Sequence, residues 1–88
     1  MSNFGSALEA LKSGERVARE GWNGPGQFVY YVPPASYKTQ TEIAFAHFGD
    51  TVPYRAYLAL KTVQGDIAMW TPSVSDVLAE DWVTLSPI

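Results

Sequence analysis

The chain has 88 residues, a formal net charge of −3, no cysteine and a single histidine, His47; disulfides, thiolate metal sites and a His-rich metal site within one chain are therefore excluded. Its six Lys and Arg residues are too few to build the basic face that duplex nucleic acid requires. No apolar run approaches the ~20 residues of a membrane span, and no basic segment followed by an apolar one opens the chain, so the expectation is a cytoplasmic protein without a leader.

A chain of this length makes one domain, expected over residues 1–88, and buries only about 60–65% of its unfolded surface, so its core is thin. Yet 47% of its residues are hydrophobic and only 17% are charged, against about 25% charged in a typical soluble domain. The surplus apolar surface predicts a homo-oligomer with a buried subunit interface.

Residues 3–14 read as a helix. Phe4, Leu8 and Leu11 fall at helical spacing with Ala7 beside them, Ser2 or Asn3 can cap the start, and Gly14 sits where a left-handed residue ends a helix. Residues 15–20 alternate as a short strand. Gly21-Trp22-Asn23-Gly24-Pro25-Gly26 is a loop, because glycine and proline break the ladder. Residues 27–32, β-branched and aromatic, form the next strand, and the two make a hairpin with Trp22 at its tip. Pro33-Pro34 ends it.

Residues 35–40 read as loop, 41–48 as one or two helical turns or an irregular strand, and Gly49-Asp50 as a turn. Tyr54 to Val63 is the longest strand expected, followed by a Gln64-Gly65-Asp66 turn and a returning strand over 67–70. A short helix follows, beginning at Thr71-Pro72 or at the Ser73…Asp76 capping box and ending near Glu80. Trp82 to Leu85 is the last strand, with Leu78 and Trp82 expected in the core. The class is α+β: a small antiparallel sheet of four or five strands with an N-terminal helix and a short C-terminal helix.

Two places suggest ligand chemistry. Free N–H groups and a hydroxyl at Ser73, just after Trp70, are a seat for a phosphate beneath a flat base; the plainer reading is a helix cap beside core tryptophans. Trp22, an aromatic plate in a glycine-rich loop, stands next to the Asn23 amide, an arrangement that reads bases; the plainer reading is a ring folded onto the sheet or into a subunit interface. Arg55 and Lys38 are candidate phosphate partners or plain surface charges. Asp76 and Glu80, one helical turn apart, with Asp81 beside them, would hold a divalent cation or act as an acid–base pair, but such clusters are usually solvated faces. Ser73 has no evident base, which argues against nucleophilic catalysis.

Three sequence pieces, in order, carry a resemblance: Phe4-Gly5-Ser6-Ala7-Leu8-Glu9-Ala10-Leu11-Lys12-Ser13-Gly14; Val17-Ala18-Arg19-Glu20-Gly21-Trp22-Asn23-Gly24; and Trp70-Thr71-Pro72-Ser73 through Asp76, Leu78-Ala79 and Asp81-Trp82. With them the chain resembles the Thoeris anti-defense 2 family of small phage and prophage proteins. Residues 33–63 match less clearly. The resemblance implies a molecular sponge that holds the cyclic ADP-ribose signal of bacterial TIR-domain immune proteins, such as glycocyclic ADP-ribose, without cleaving it. It further implies a homotetramer with ligand pockets at protomer interfaces, no catalytic residues, no metal and no cofactor, and in some relatives a separate site for cyclic oligonucleotides.

On that reading Trp22 and Trp70 sandwich an adenine, from two loops or two chains, and Asn23 reads its edge. Ser73 N–H groups and Arg55 hold the pyrophosphate, and Asp76 or Asp81 accepts from ribose hydroxyls. A sponge must bind at about nanomolar strength, roughly −12 kcal/mol. The alternatives are a small protein–protein interaction module and a nucleotide hydrolase using the acids near residue 80.

Overall fold

A computed structural model describes residues 2–22 and 24–87. The elements are α1 (Phe4–Lys12), β1 (Val17–Arg19), β2 (Phe28–Val32), β3 (Ala35–Lys38), α2 (Glu42–Phe48), β4 (Thr51–Tyr54), β5 (Tyr57–Lys61), β6 (Ile67–Trp70), α3 (Val74–Leu78) and β7 (Trp82–Thr84). Five strands form one antiparallel sheet in the order β6-β5-β2-β1-β7, and β3 pairs with β4 in a separate two-stranded sheet. The α+β class with its N-terminal and short C-terminal helices is thus as the sequence led us to expect.

Asn3 caps α1 by accepting from the Ser6 N–H. At the other end the Gly14 N–H donates to the Leu11 carbonyl and the Glu15 N–H to that of Ala10. With Gly14 at φ +90°, this is the Schellman closure that only a left-handed residue permits. The apolar face of α1 meets the sheet through Ala7 and Leu11, which join Val17, Val29 and Trp82 as the buried core.

Two expectations change between residues 35 and 63. Residues 35–38 are a strand, and the long strand expected from Tyr54 is interrupted at Arg55-Ala56. One cause explains both. Val32 pairs with Tyr57 and Ala35 with Tyr54, so a single antiparallel register runs through both sheets. The break lies where Pro33-Pro34 faces Arg55-Ala56, and two consecutive prolines remove two ladder donors at once. The ribbon therefore continues past the main sheet as an arm of β3 and β4, with α2 in the connection at its far end. Thr41 caps α2 by accepting from the Ala44 N–H.

Pairing and alternation sort the main sheet into two faces. Val17, Val29, Tyr31, Leu58, Leu60 and Trp70 pack toward α1. Ala18, Phe28, Tyr30, Ala59, Ile67 and Met69 point the other way. The helix α3 packs against α1, and α2 packs against β4. Leu78, expected in the core, is instead 73% exposed; the five-residue α3 is too short to turn a full stripe inward, and Ala79 packs against the core instead.

Candidate functional site

The three tryptophans and Phe4 gather in one corner. Trp22 meets Trp70 with ring centroids 6.3 Å apart at 68° and meets Trp82 at 5.5 Å and 79°. Trp70 meets Trp82 at 6.1 Å and 80°, and Phe4 lies 5.5 Å from Trp82. The three contacts between tryptophans are edge to face, the arrangement aromatic quadrupoles favour, and the Phe4 ring is tilted at 55° to Trp82. Trp82 is buried to 1% exposure, whereas Trp22 and Trp70 are half-buried, each keeping some surface open. Within one protomer they are not parallel plates, so a base is not sandwiched between them there. Trp22 folds back onto the core although its loop is rich in glycine. Asn23 lies outside the described residues.

Beside the rings runs a closed polar frame centred on Arg19, which the sequence reading overlooked. Its Nη1 donates to Asp76 Oδ1 at 3.0 Å and its Nε to Asp81 Oδ1 at 2.8 Å. The Gly21 N–H donates to Asp81 Oδ2 at 2.9 Å, and the Trp82 indole N–H to the Asp76 carbonyl at 2.9 Å. The frame thus ties β1, the Trp22 loop, α3 and β7 together. One signal for Arg19 was available. Alternation puts it on the same face as buried Val17, and a cation directed toward a core needs acidic partners.

Of the two helix starts, Ser73 is the cap. Its N–H and its hydroxyl both donate to Asp76 Oδ2 at 2.9 Å, and its hydroxyl accepts from the Asp76 N–H. The phosphate seat expected at Ser73 is therefore filled by the chain's own carboxylate. Asp76 spends its oxygens on Ser73 and Arg19, while Asp81, accepting one hydrogen bond per oxygen, retains lone pairs for another donor.

Protonation follows from these contacts. Partial burial pushes the Asp76 carboxyl up, but hydrogen bonds from Ser73 and Arg19, with the nearby Trp22 indole, hold it below the ordinary carboxylate value. The Asp81 carboxyl is lowered chiefly by Arg19, against the effect of burial. The Arg19 guanidinium is raised by Asp81 and then Asp76. The corner is a fixed ion network at neutral pH. No group of three or more acidic, His or Cys side chains placed to hold a metal occurs among the described residues.

Arg55 is exposed in the link before β5. Leu58 pairs with Trp70, so Arg55 leaves the sheet at the end of β5 nearest that pair. Lys38 lies elsewhere, in a groove that the sequence reading did not identify. Tyr37, Lys38, Gln40, Tyr54 and Tyr57 line a concavity of about 360 Å³ along the arm. Tyr37 and Tyr54 meet edge to face at 5.3 Å, and burial beside Tyr37, Tyr30 and Tyr54 pushes the Tyr57 phenol up. The groove is lined from both sides of the break that Pro33-Pro34 makes in the ladder, Tyr57 belonging to the main sheet and Tyr37 and Tyr54 to the arm, a pairing across the chain that no local pattern announces.

Comparison with known proteins adds a lineage to this geometry. The sequence profile described as the Thoeris anti-defense 2-like domain matches residues 2–85. A phage protein described as Thoeris anti-defense 2, from Bacillus phage SP01, is 36% identical over 84 residues, covering 96% of this chain and 94% of the relative.

Proposed function

The chain belongs to the Thoeris anti-defense 2-like family, and from that premise we propose that it is a phage anti-defense protein that binds and sequesters a cyclic ADP-ribose-type immune signal without cleaving it. The observation that carries this reading is the family match across residues 2–85, which takes in both the Trp22 loop and the stretch from Trp70 to Trp82.

The tryptophan corner is the binding surface in this reading. The base stacks on the open part of Trp22 or Trp70, and a second copy supplies the opposing wall, which is why a homo-oligomer, a tetramer by family resemblance, suits the function. Asn23 reads the base edge, Asp81 accepts from a ribose hydroxyl with its remaining lone pairs, and Arg55 neutralises the pyrophosphate. Ser73 and Asp76 act indirectly, by holding α3 and Arg19 in place. Rings already packed edge to face lose little conformational entropy when a ligand arrives, which favours tight binding. The work of the protein is done in the cytoplasm of the infected host.

A second ligand has a separate place. The groove of Tyr37, Tyr54, Tyr57 and Lys38 offers aromatic surface and a cation together, the combination that holds stacked nucleotides, and it is where a cyclic oligonucleotide would bind.

The test is depletion followed by release. The protein is incubated with a panel of cyclic ADP-ribose isomers, removed by filtration and heat-denatured. Loss of free ligand and its recovery intact on denaturation is the expected result. A chemically altered product would make the protein an enzyme, and no depletion by any isomer or cyclic oligonucleotide would favour a protein-interaction module.

A further inference from the structure

Two large apolar surfaces of this chain do not meet each other. The first is the sheet face turned away from α1. The open face of an antiparallel sheet ordinarily presents polar side chains, yet this one presents half-buried Phe28 and Tyr30 and exposed Ile67 and Met69, at 51% and 65%, around a buried Ala59. Its charges are cationic: Arg16, whose guanidinium lies 5.0 Å from the Phe28 ring centre, and Lys61, paired with Phe28 and Ile67.

The second surface is α2. None of its seven residues is buried, and Ile43, Phe45 and Phe48 are 76%, 58% and 56% exposed. A helix this short does not persist on propensity alone and depends on a packed face. Its acidic groups are Glu42 in the first turn and Asp50 just beyond the C-cap.

A sheet face without a helix and a helix without a sheet are complementary layers. Within one chain α2 packs on β4, at the far end of the arm. We propose that α2 of one copy covers the open sheet face of a second copy, and the reverse, so that two copies close as a two-fold pair by exchanging arms. This rests on, and deepens, the homo-oligomer reading above.

Three observations favour a second copy as the occupant. The charges match, Glu42 and Asp50 at the two ends of α2 against Arg16 and Lys61 on the sheet. A hollow of about 350 Å³ lined by Arg16, Phe28, Tyr30 and Ile67 has room for a phenylalanine of α2, with the Arg16 guanidinium placed for a cation–π contact. The area is also adequate. Covering Ile43, Phe45, Phe48, Ile67 and Met69 removes on the order of 600 Å² per copy, and the surrounding rim brings this near the roughly 800 Å² per partner of a stable interface.

The chain lacks cysteine, which makes the test direct. Phe45→Cys protein is mixed with Met69→Cys protein and treated with a bismaleimide cross-linker; a covalent link between the two different copies is expected. Separately, Phe45→Glu and Met69→Glu should each halve the mass seen by light scattering while the circular dichroism spectrum is unchanged. A wild-type oligomer that yields no Phe45–Met69 link, or keeps its mass in both glutamate variants, overturns this interface and leaves signal sequestration untouched. A monomeric wild type overturns the interface and the homo-oligomer reading together, while the depletion assay still decides sequestration by itself. Should the glutamate variants fail to fold, the cross-link alone decides, and its absence overturns the proposal.

Discussion

At the tryptophan corner, side chains satisfy one another within the chain: both carboxylates have partners, Ser73 and Asp76 exchange hydrogen bonds, and the rings pack edge to face. In the arm, Ile43, Phe45 and Phe48 face outward and the tyrosines line an open groove. Most of the residues that looked functional by type are at the corner and are largely engaged in holding the fold, whereas the less legible stretch carries the open surface. A recognisable motif can thus mark the frame of a site, with the unoccupied contact capacity lying beside it.

If the corner is the frame, breaking it must cost folding stability. Trp82→Ala removes a buried ring that touches Phe4, Trp22 and Trp70 and donates to the Asp76 carbonyl; urea denaturation should show a loss of about 4 kcal/mol, and a loss under about 1 kcal/mol would mean the corner is not the centre of the core. Gly24→Ala should be next. Gly24 has φ +117°, and a Cβ there would come within 2.4 Å of Val63 Cγ2, so about 2 kcal/mol is expected from strain and the displaced loop. A Gly24→Ala protein of wild-type stability would show that the Trp22 loop is not held against Val63. Ser73→Ala deletes the cap of α3 and should cost about 1 kcal/mol by the same measurement; no change would make the cap incidental.

Acid sharpens the comparison further. Asp76 and Asp81 have folded-state values held below the ordinary 3.8. Their contribution is complete above that value and is lost as pH falls through the lowered folded values. Denaturation curves of wild type and Asp81→Asn should therefore converge as pH drops below 3.8, with Arg19 charged throughout. A gap that stays constant down to pH 2 would remove the Arg19–Asp81 pair from the account.

How much of this could be read beforehand varied by residue. The α1 boundaries, the Gly65 turn and β6 were legible because capping, left-handed glycine and alternation are local signals. The break at Arg55-Ala56 was not, because its cause, Pro33-Pro34, lies across the sheet. Thr41 to Phe48 stayed ambiguous between helix and strand because its apolar residues follow neither period and none is buried. Ser73 looked like a phosphate seat because a capping box and an anion site share the same free N–H groups until a side chain is seen to occupy them. Arg19 was missed because its meaning depends on two acids nearly sixty residues or more away in sequence.

The central claim, that the tryptophan corner takes the signal, can be tested by intrinsic fluorescence. All three tryptophans of the chain lie in the corner, so emission reports on that place alone. Titration with cyclic ADP-ribose isomers should give a saturable quench for the sequestered isomer, and Trp70→Ala should weaken binding by about 1–3 kcal/mol. Depletion of the same isomer from solution with unchanged tryptophan emission, and with undiminished binding by the Trp22→Ala and Trp70→Ala proteins, would contradict it.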